Sequence, residues 1–487
     1  MGTRYDNGLA DPTSPKRVFT VGPMPPEKLA YALARYSRSP DSIRDSLAWV
    51  RDHDSSRFLE SFYFQYGHAS IADLGHMAVC FEGVSEVAAI EIEDEALWDG
   101  QARSSRYQDF SRSGFVVPPE LSETEAALYR EAGTKLLSAY RATHEKVAAY
   151  LTERLPRPDS MKPEAYKRNI AARAFDVARY LLFLGIPTGV GQVTSIRTME
   201  RQIRRWKASP YAELRDLGRE AAEACAQPPY VSLRADETGE PVAPTLAKYT
   251  DPDPYPAQAR AAVKLWAEQN LPAPAGLATP AVDLVKASNT LADIVATLLY
   301  TVTARPYREL YELARSWPRT RLEEVLGVAL AGRSRRDELL REFRGGPYVY
   351  DMTIDIGAYR DLHRHRRCQQ FRQGYTWALG WETPAAIVES GANDPFQQAM
   401  REASSVAERL SAPGREYLTA FGARSRFLFK MDFAEAEYIS KLRSGVKGHF
   451  SYREIAWQMK QRMEEVDPEL GRLIDATPPW IEDPLVR

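Results

Sequence analysis

Two stretches of this chain repeat one another, and that self-similarity limits the fold more than any other feature. One is FEGVSEVAAIEIEDEALWDGQARSSRYQDF, beginning at Phe81, and the other is DMTIDIGAYRDLHRHRRCQQFRQGYT, beginning at Asp351. Each opens in an extended apolar run, enters a charged helix and reaches a short Gln/Arg-rich turn followed by an aromatic. The offset between them is 270 residues. Further on, Tyr180-Leu181-Leu182-Phe183-Leu184-Gly185 meets Tyr417-Leu418-Thr419-Ala420-Phe421-Gly422 at an offset of 237. The difference of 33 assigns extra helical residues to the first copy, between about 120 and 168. Internal repeats are read before any fold is chosen, because overlooking one misassigns the whole chain.

Pro-, Asp- and Gly-rich sequence over 227–258, followed by LPAPAGLATP at 271–280, lacks periodicity and reads as a linker. The expected organisation is a first repeat over 1–230, a Pro-rich linker over 231–280 and a second repeat over 281–487. A length of 487 residues suits such a pair. With 44% apolar and 27% charged residues, each half has material for a core. A formal net charge of −2 provides no long-range attraction to nucleic acid or an anionic membrane. The three cysteines, Cys80, Cys225 and Cys368, are far apart, with neither zinc spacing nor a disulfide pattern. Met1 to Pro15 is polar and has no apolar stretch of signal-peptide type. No run approaches ~18 uninterrupted apolar residues, so no transmembrane helix is expected. A cytoplasmic protein is the expectation.

Tyr348, Tyr350, Met352, Ile354 and Ile356 alternate with Val349, Asp351, Thr353 and Asp355, which is strand periodicity. Met77, Val79 and Phe81 lie in a similar run. Ser85 is placed to cap the helix that follows, with Glu86 in its first turn and Gly100 near its end. Helical patterns cover 123–153, 256–270, 281–316, 319–343, 396–411 and 451–465. Short strands among many helices, without regular βαβ alternation, give an α+β class. There is neither a GxGxxG nor a Walker motif, so a flavin would not occupy a Rossmann site.

Three segments carry candidate chemistry. His363-Arg364-His365-Arg366-Arg367 sets five cationic or potentially cationic side chains in a row. Residues two apart do not share a helix face, so Arg364 and Arg366 point apart on a helix. A phosphate or another anion would stabilise such a cluster, and arginine binds phosphate bidentately. A solvated basic helix face and a nucleic-acid contact remain open alternatives, the latter weakened by the near-neutral chain. Tyr66 to His76 contains His68 and His76, two of the chain's seven histidines, together with Ser70. A neutral imidazole and a hydroxyl can bind a cofactor's heteroatoms, while a structural histidine is the plainer reading. No metal site is expected, since no third ligand accompanies the pair. Gln101-Ala102-Arg103-Ser104-Ser105-Arg106-Tyr107 suits a phosphorylated nucleotide, with Arg for phosphate and Tyr for stacking, although SSRY also fits an ordinary turn.

Together these segments resemble the flavin-dependent thymidylate synthase family, as a tandem two-repeat member. That family's signature is Arg-His-Arg, seven residues, then Ser, commonly followed one residue later by Arg-Tyr, with an upstream His-x-Ser and a strand. Here the signature is split. Arg364-His365-Arg366 match its first part in the second copy, but Gly374 stands where Ser is expected and Tyr375-Thr376-Trp377 replaces the tail. In the first copy Ser104-Ser105-Arg106-Tyr107 match the tail and His68-x-Ser70 the upstream element, while Asp94-Glu95-Ala96 occupies the Arg-His-Arg place. Ala178-Arg179-Tyr180-Leu181-Leu182 is similar to the family's Ala-Arg-x-x-Leu, and Leu442-Arg443 to its later Leu-Arg. Arg197, Arg205 and Glu213 occupy comparable ground in the first copy. The likeness covers roughly 25–230 and 285–470.

The resemblance implies a flavoprotein methyltransferase of dTMP biosynthesis. FAD is reduced by NADPH, methylenetetrahydrofolate supplies the carbon, and dUMP is the acceptor. The redox chemistry belongs to the cofactor, so the protein needs few acid–base groups. The implied cofactor residues are His68, Ser70, Arg364, His365 and Arg366. The implied substrate residues are Arg106, Tyr107, Arg179 and Arg443, with Ser104 and Arg443 in catalytic positions and Ser104 not acting as a nucleophile. The family's homotetramer implies a homodimer of this tandem chain, with composite sites, half of them degenerate. A carboxylate-lined site built from Asp94-Glu95-Ala96 would repel a diphosphate. Gly374 opens two alternatives: a flavin-dependent enzyme of another uracil nucleotide, or a non-catalytic flavin- or nucleotide-binding paralogue.

Overall fold

The computed structural model describes residues 24–36, 43–53, 69–106, 108–229, 241–245, 250–253, 280–286, 290–302, 307–330, 339, 341–344, 347–483 and 485. In chain order the elements of the first half are α1 (Pro26–Tyr36), α2 (Ile43–Asp52), β1 (His76–Ser85), α3 (Glu86–Glu93), β2 (Asp99–Ala102), α4 (Glu123–Arg154), α5 (Pro163–Ala178), β3 (Pro187–Ser195), α6 (Ile196–Lys207) and α7 (Ala212–Ala226). The second half holds β4 (Val282–Lys286), α8 (Thr290–Val302), α9 (Tyr307–Ser316), α10 (Arg319–Leu330), β5 (Tyr348–Asp355), α11 (Ile356–Leu362), β6 (Gln369–Arg372), α12 (Ala385–Glu389), α13 (Asn393–Ala407), β7 (Arg424–Met431), α14 (Phe433–Arg443), α15 (Phe450–Val466) and α16 (Pro468–Arg472).

The chain divides into two compact units. The smaller comprises Met1–Met77, Ser195–Arg201 and Glu220–Thr250. Its described part holds α1, α2 and a 3-10 turn at Ala69–Asp73, and Arg197 pairs with Asp73 at 2.8 Å. The larger comprises Ala78–Thr194, Gln202–Arg219 and Asp251–Arg487 and contains most of both copies.

The two sheets follow one plan, in the orders β1-β3-β2 and β4-β5-β7-β6. The repeat seen in the sequence is also a repeat of register. β2 pairs antiparallel with β3 from Asp99↔Val193 to Ala102↔Val190, and β6 with β7 from Gln369↔Lys430 to Arg372↔Phe427. The offsets of 270 and 237 carry the first ladder onto the second residue by residue. Each copy turns directly from strand to helix at a side-chain cap. Ser85 Oγ accepts from the Ala88 amide at 3.0 Å, and Asp355 Oδ1 from the Ala358 amide at 2.7 Å. A cap of this type satisfies one of the orphan amides that open a helix.

The copies meet through reciprocal backbone bonds. Gly185 N donates to Tyr417 O at 2.7 Å, and Gly422 N to Tyr180 O at 3.1 Å. Leu184 N donates to Thr419 O at 3.0 Å, and Phe421 N to Leu182 O at 2.7 Å. An offset of 237 exchanges the members of each pair, and Phe183 bridges Ala420, its own counterpart. This is an internal two-fold, the arrangement of an isologous dimer made within one chain.

The sequence reading holds for the 348–355 strand, whose residues Tyr348, Tyr350, Met352 and Ile354 are buried. It needs correction elsewhere. Residues 282–286 form β4 rather than the start of a helix, because VDLVK pairs along β5 and its helical look reflected only its apolar content. The helix after Ser85 ends at Glu93, and Gly100 belongs to β2. The expected 256–270 helix lies outside the described residues. Among the described residues, no helix is long and apolar enough to cross a membrane and no cluster of His, Cys, Asp and Glu is suited to a metal ion.

Candidate functional site

The Arg-His-Arg segment does not lie on a helix. α11 ends at Leu362, and residues 363–368 turn into β6. The segment's side chains therefore diverge by turn geometry rather than by helical spacing. His363 is anchored in the core: its Nδ1 lies 3.0 Å from both Tyr359 Oη and Gln370 Oε1, and its Nε2 lies 3.3 Å from Ile90 O.

Arg364 and Arg366 line a cavity of about 380 Å³ with Glu93, Trp98, Asp99, Gly100, Gln101 and Ala102. Arg366 lies over the Trp98 ring at 4.8 Å and pairs with Asp99 at 3.0 Å, and its buried Nε has no hydrogen-bond partner. Among the described residues no hydrogen bond or ion pair ties Arg364. His365 turns elsewhere. It is buried, accepts a 2.7 Å hydrogen bond at Nε2 from Arg443 Nε, and presents Nδ1 to Glu435 Oε1 at 3.6 Å. Burial lowers its pKa from the ordinary imidazole value, and the Arg443 charge adds to that.

Three of the four substrate residues expected from the sequence, Arg106, Arg179 and Arg443, lie close together. Arg179, almost wholly buried at the end of α5, gives Asp361 hydrogen bonds of 3.2 and 3.1 Å from its two Nη atoms, and its Nε has no partner. Arg106 forms a two-pronged pair with Asp176, at 2.8 and 3.2 Å, and donates to Tyr452 Oη at 3.0 Å. Arg106 and Arg443 both lie against the Tyr452 ring, at 5.8 and 5.6 Å. Burial works to raise the Asp361 carboxyl, but Arg179, Arg106, Arg364 and Arg443 hold it below the usual carboxylate range. His449 closes the base of the cluster. Its Nε2–H donates to Asp176 O at 2.9 Å and its Nδ1 accepts from Ser451 N at 3.2 Å, while burial, Arg179 and Arg106 push its pKa far down and keep it neutral. Four guanidiniums surround two carboxylates here, so the cluster keeps a positive excess; Arg179 is buried and Arg106, Arg364 and Arg443 are half-buried.

The remaining expected residues are distributed as follows. Ser104 Oγ accepts the Arg106 amide at 3.2 Å and shapes the loop. Its neighbour Ser105 is the buried one and accepts from Arg360 at 3.2 Å. Arg360 also pairs at 2.7 Å with Glu86. Ser70 lies in the Ala69–Asp73 turn of the smaller unit, and its side chain is outside the described set. His68 and Tyr107 lie outside the described residues. Sequence reasoning missed Asp176, Asp361, Glu435, His449 and Tyr452. Only His449 carried a signal, as one of seven histidines; the others are identified by tertiary contacts.

The two-fold counterpart of this cluster is acidic. The offsets put Asp94 opposite Arg364, Glu91 opposite Asp361, Glu416 opposite Arg179, Thr376 opposite Arg106 and Trp206 opposite Arg443. Arg372 pairs there with Glu91 and, at 3.4 Å, with Asp94, and lies over Tyr375 at 5.8 Å. Tyr211 donates to Glu416 at 2.8 Å, and burial raises the Glu416 carboxyl.

Residues 21–228 and 333–469 match the family model of thymidylate synthase complementing proteins, Thy1. The chain belongs to the Thy1 family. Its two matched segments fall in the two copies, so this Thy1 protein is a tandem α+β member built on small antiparallel sheets and long helices. It is 25% identical over 423 residues to a UPF0159 protein of Chlamydia muridarum, covering 83% of this chain and 77% of that one. It is 24% identical over 490 residues to a UPF0159 protein of Thermoplasma acidophilum, covering 91% and 93%. The crystal structure of the flavin-dependent thymidylate synthase ThyX from Helicobacter pylori complexed with FAD and dUMP is similar to part of it, at 15% identity and a TM-score of 0.25, covering 41% of this chain and 89% of that one.

Proposed function

We propose that this Thy1 protein is a flavin-dependent thymidylate synthase that converts dUMP to dTMP at one arginine-rich site per chain. The observation that carries the reading is the convergence of Arg106, Arg179, Arg364 and Arg443 on Asp361, with more guanidinium than carboxylate charge. Excess cations in a half-buried cluster of this kind are stabilised by a bound dianion such as a nucleotide phosphate. In this reading Arg106 and Arg179 hold the phosphate, Arg443 faces the uracil, Ser104 fixes the loop beside the nucleotide, and Tyr107 supplies a ring.

The unpartnered Nε of Arg366 and the untied guanidinium of Arg364, at a cavity of about 380 Å³, fit an anionic group such as the diphosphate of FAD. His68 and Ser70 are assigned to the same cofactor from the other copy. When bound, FAD supplies the redox chemistry that side chains lack, drawing on NADPH while methylenetetrahydrofolate provides the carbon. The protein's part is orientation and charge. The described partner of Ser104 is an amide rather than a base, in keeping with a positioning hydroxyl and not a nucleophile. The proposed copies are 1–230 and 281–487, joined by 231–280, with two chains pairing to complete the sites.

The absorbance spectrum of the purified protein, native and then denatured, tests the reading first. Non-covalent flavin is expected, and it should be lost in both Arg366→Ala and His68→Ala; retention in either variant defeats the composite site. Rescue of a thymidine-requiring strain, abolished by Arg179→Ala, is expected of the full activity. Flavin without turnover would make the chain a binding paralogue instead.

A further inference from the structure

The arginine that faces the nucleotide in the reading above is itself held, and the holding group is unexpected. Arg443 is the last residue of α14, and its guanidinium lies against the Tyr452 ring at 5.6 Å. Its Nε donates at 2.7 Å to His365 Nε2. That nitrogen must therefore carry a lone pair, and the ring's proton belongs on Nδ1, which faces Glu435 Oε1 at 3.6 Å. Glu435 lies in the first turn of the same helix and is almost completely buried. One helix thus supplies both ends of the relay, and the loop between α11 and β6 supplies the middle.

We propose that His365 is a positioning residue, a neutral ring fixed by Glu435 that holds the Arg443 guanidinium toward the nucleotide. The proposal rests on the nucleotide reading of the arginine cluster. Its geometric basis is the chain of contacts from Glu435 Oε1 to His365 Nδ1, at 3.6 Å, and from His365 Nε2 to Arg443 Nε, at 2.7 Å. The charged and titratable groups around the ring and its partner are Glu435, Tyr438 and Arg443 from α14 with Asp432 at its cap, Arg366, Cys368 and Arg367 from its own loop, the last pairing with Glu435 at 3.6 Å, and Tyr452 of α15 behind Arg443. Adding a proton at Nε2 would replace the acceptor by a donor pointing at a guanidinium. The bond would become a repulsion, and Arg443 would be released.

The test uses the full-length protein with dUMP as the probe. Affinity is measured by calorimetry from about pH 5 to pH 8, across the range in which an imidazole titrates. His365→Ala is expected to lose about ten- to hundredfold in dUMP affinity, as for a lost hydrogen bond to a charged group. His365→Gln retains an acceptor that cannot titrate. It is expected to bind dUMP nearly as wild type at high pH and to weaken less than wild type toward acid. The difference between those two profiles cancels the phosphate's own titration near pH ~6. Flavin content should be unchanged in His365→Gln. In the wild type, ¹⁵N imidazole shifts should show Nδ1 protonated and Nε2 bare, a readout that needs no ligand. Flavin loss with unchanged dUMP affinity, parallel pH profiles, or a proton on Nε2 would each overturn the proposal while leaving the nucleotide reading intact. Failure of the wild type to bind dUMP at all would overturn both.

Discussion

A half-buried carboxylate with four arginines around it and a fully buried carboxylate with two behave oppositely, and this chain contains both. Asp361 remains ionised because Arg179, Arg106, Arg364 and Arg443 outweigh its burial. Glu86 is more deeply buried, its Oε2 has no partner, and burial, helped by repulsion from Glu93, outweighs the attraction of Arg360 and Arg364. Burial pushes its carboxyl up to about 7 from 4.5. A group raised in the folded state stabilises fully below its unfolded value, and that contribution disappears as pH rises through the folded value. Relative to Glu86→Gln, the wild type is therefore expected to be more stable at pH 4.5 than well above 7, by about 3 kcal/mol at most. Denaturant midpoints of the two proteins across that window check it, and a difference that does not change with pH would remove Glu86 as the titrating group.

At the level of elements, the crossing of the two copies is the most demanding contact. The segments 182–185 and 419–422 exchange backbone bonds so closely that a Cβ on Gly185 would collide with the Tyr129 hydroxyl, and one on Gly422 would lie 2.8 Å from Tyr180 Cδ1. Tyr129 Oη donates at 2.8 Å to Val116 O, and Tyr180 is buried, so neither ring has room to retreat. Gly185→Ala and Gly422→Ala should each destabilise by roughly 1–3 kcal/mol, as overpacked cores do. Gly189→Ala, whose Cβ would meet Phe81 O at 3.5 Å, should cost little. Equal melting points in all three variants would show that the crossing is looser than this. The same crossing shows what the sequence made legible. YLLFLG and YLTAFG share only part of their letters, but their spacing to the upstream motif already contained both offsets, and the sheet ladders obey them. β4 was not legible, because VDLVK becomes a strand only by pairing with β5, 70 residues away at Val282↔Met352 and 66 at Leu284↔Tyr350. Nor was the direction of His365, which depends on where α11 stops and not on any periodicity. Asp176 and Asp361 were invisible as counter-ions for the reason that hides most such pairs: their arginines lie 70 and 182 residues away.

At the scale of the molecule, duplication within one chain has let two related sites diverge, which a symmetric dimer of identical subunits cannot do. The two-fold relates Arg364 to Asp94, Arg179 to Glu416 and Arg106 to Thr376. The arginine side keeps a positive excess. The acidic side is internally closed by Arg372 on Glu91 and Asp94 and by Tyr211 on Glu416. A phosphate placed there would meet carboxylates in a poorly solvated space, where like charges are costly. Calorimetric titration of the intact chain with dUMP is therefore expected to give one bound nucleotide per chain, and Arg179→Ala should remove it entirely. Two nucleotides per chain, or one that persists in Arg179→Ala, would mean that the acidic half still binds and that charge reversal did not silence it. One per chain, lost with Arg179, would mean that the acidic site has become scaffold: Arg372 on Glu91 and Asp94, and Tyr211 on Glu416, hold it shut, while both copies build the site that remains, the first through Ser104, Ser105, Arg106 and Arg179.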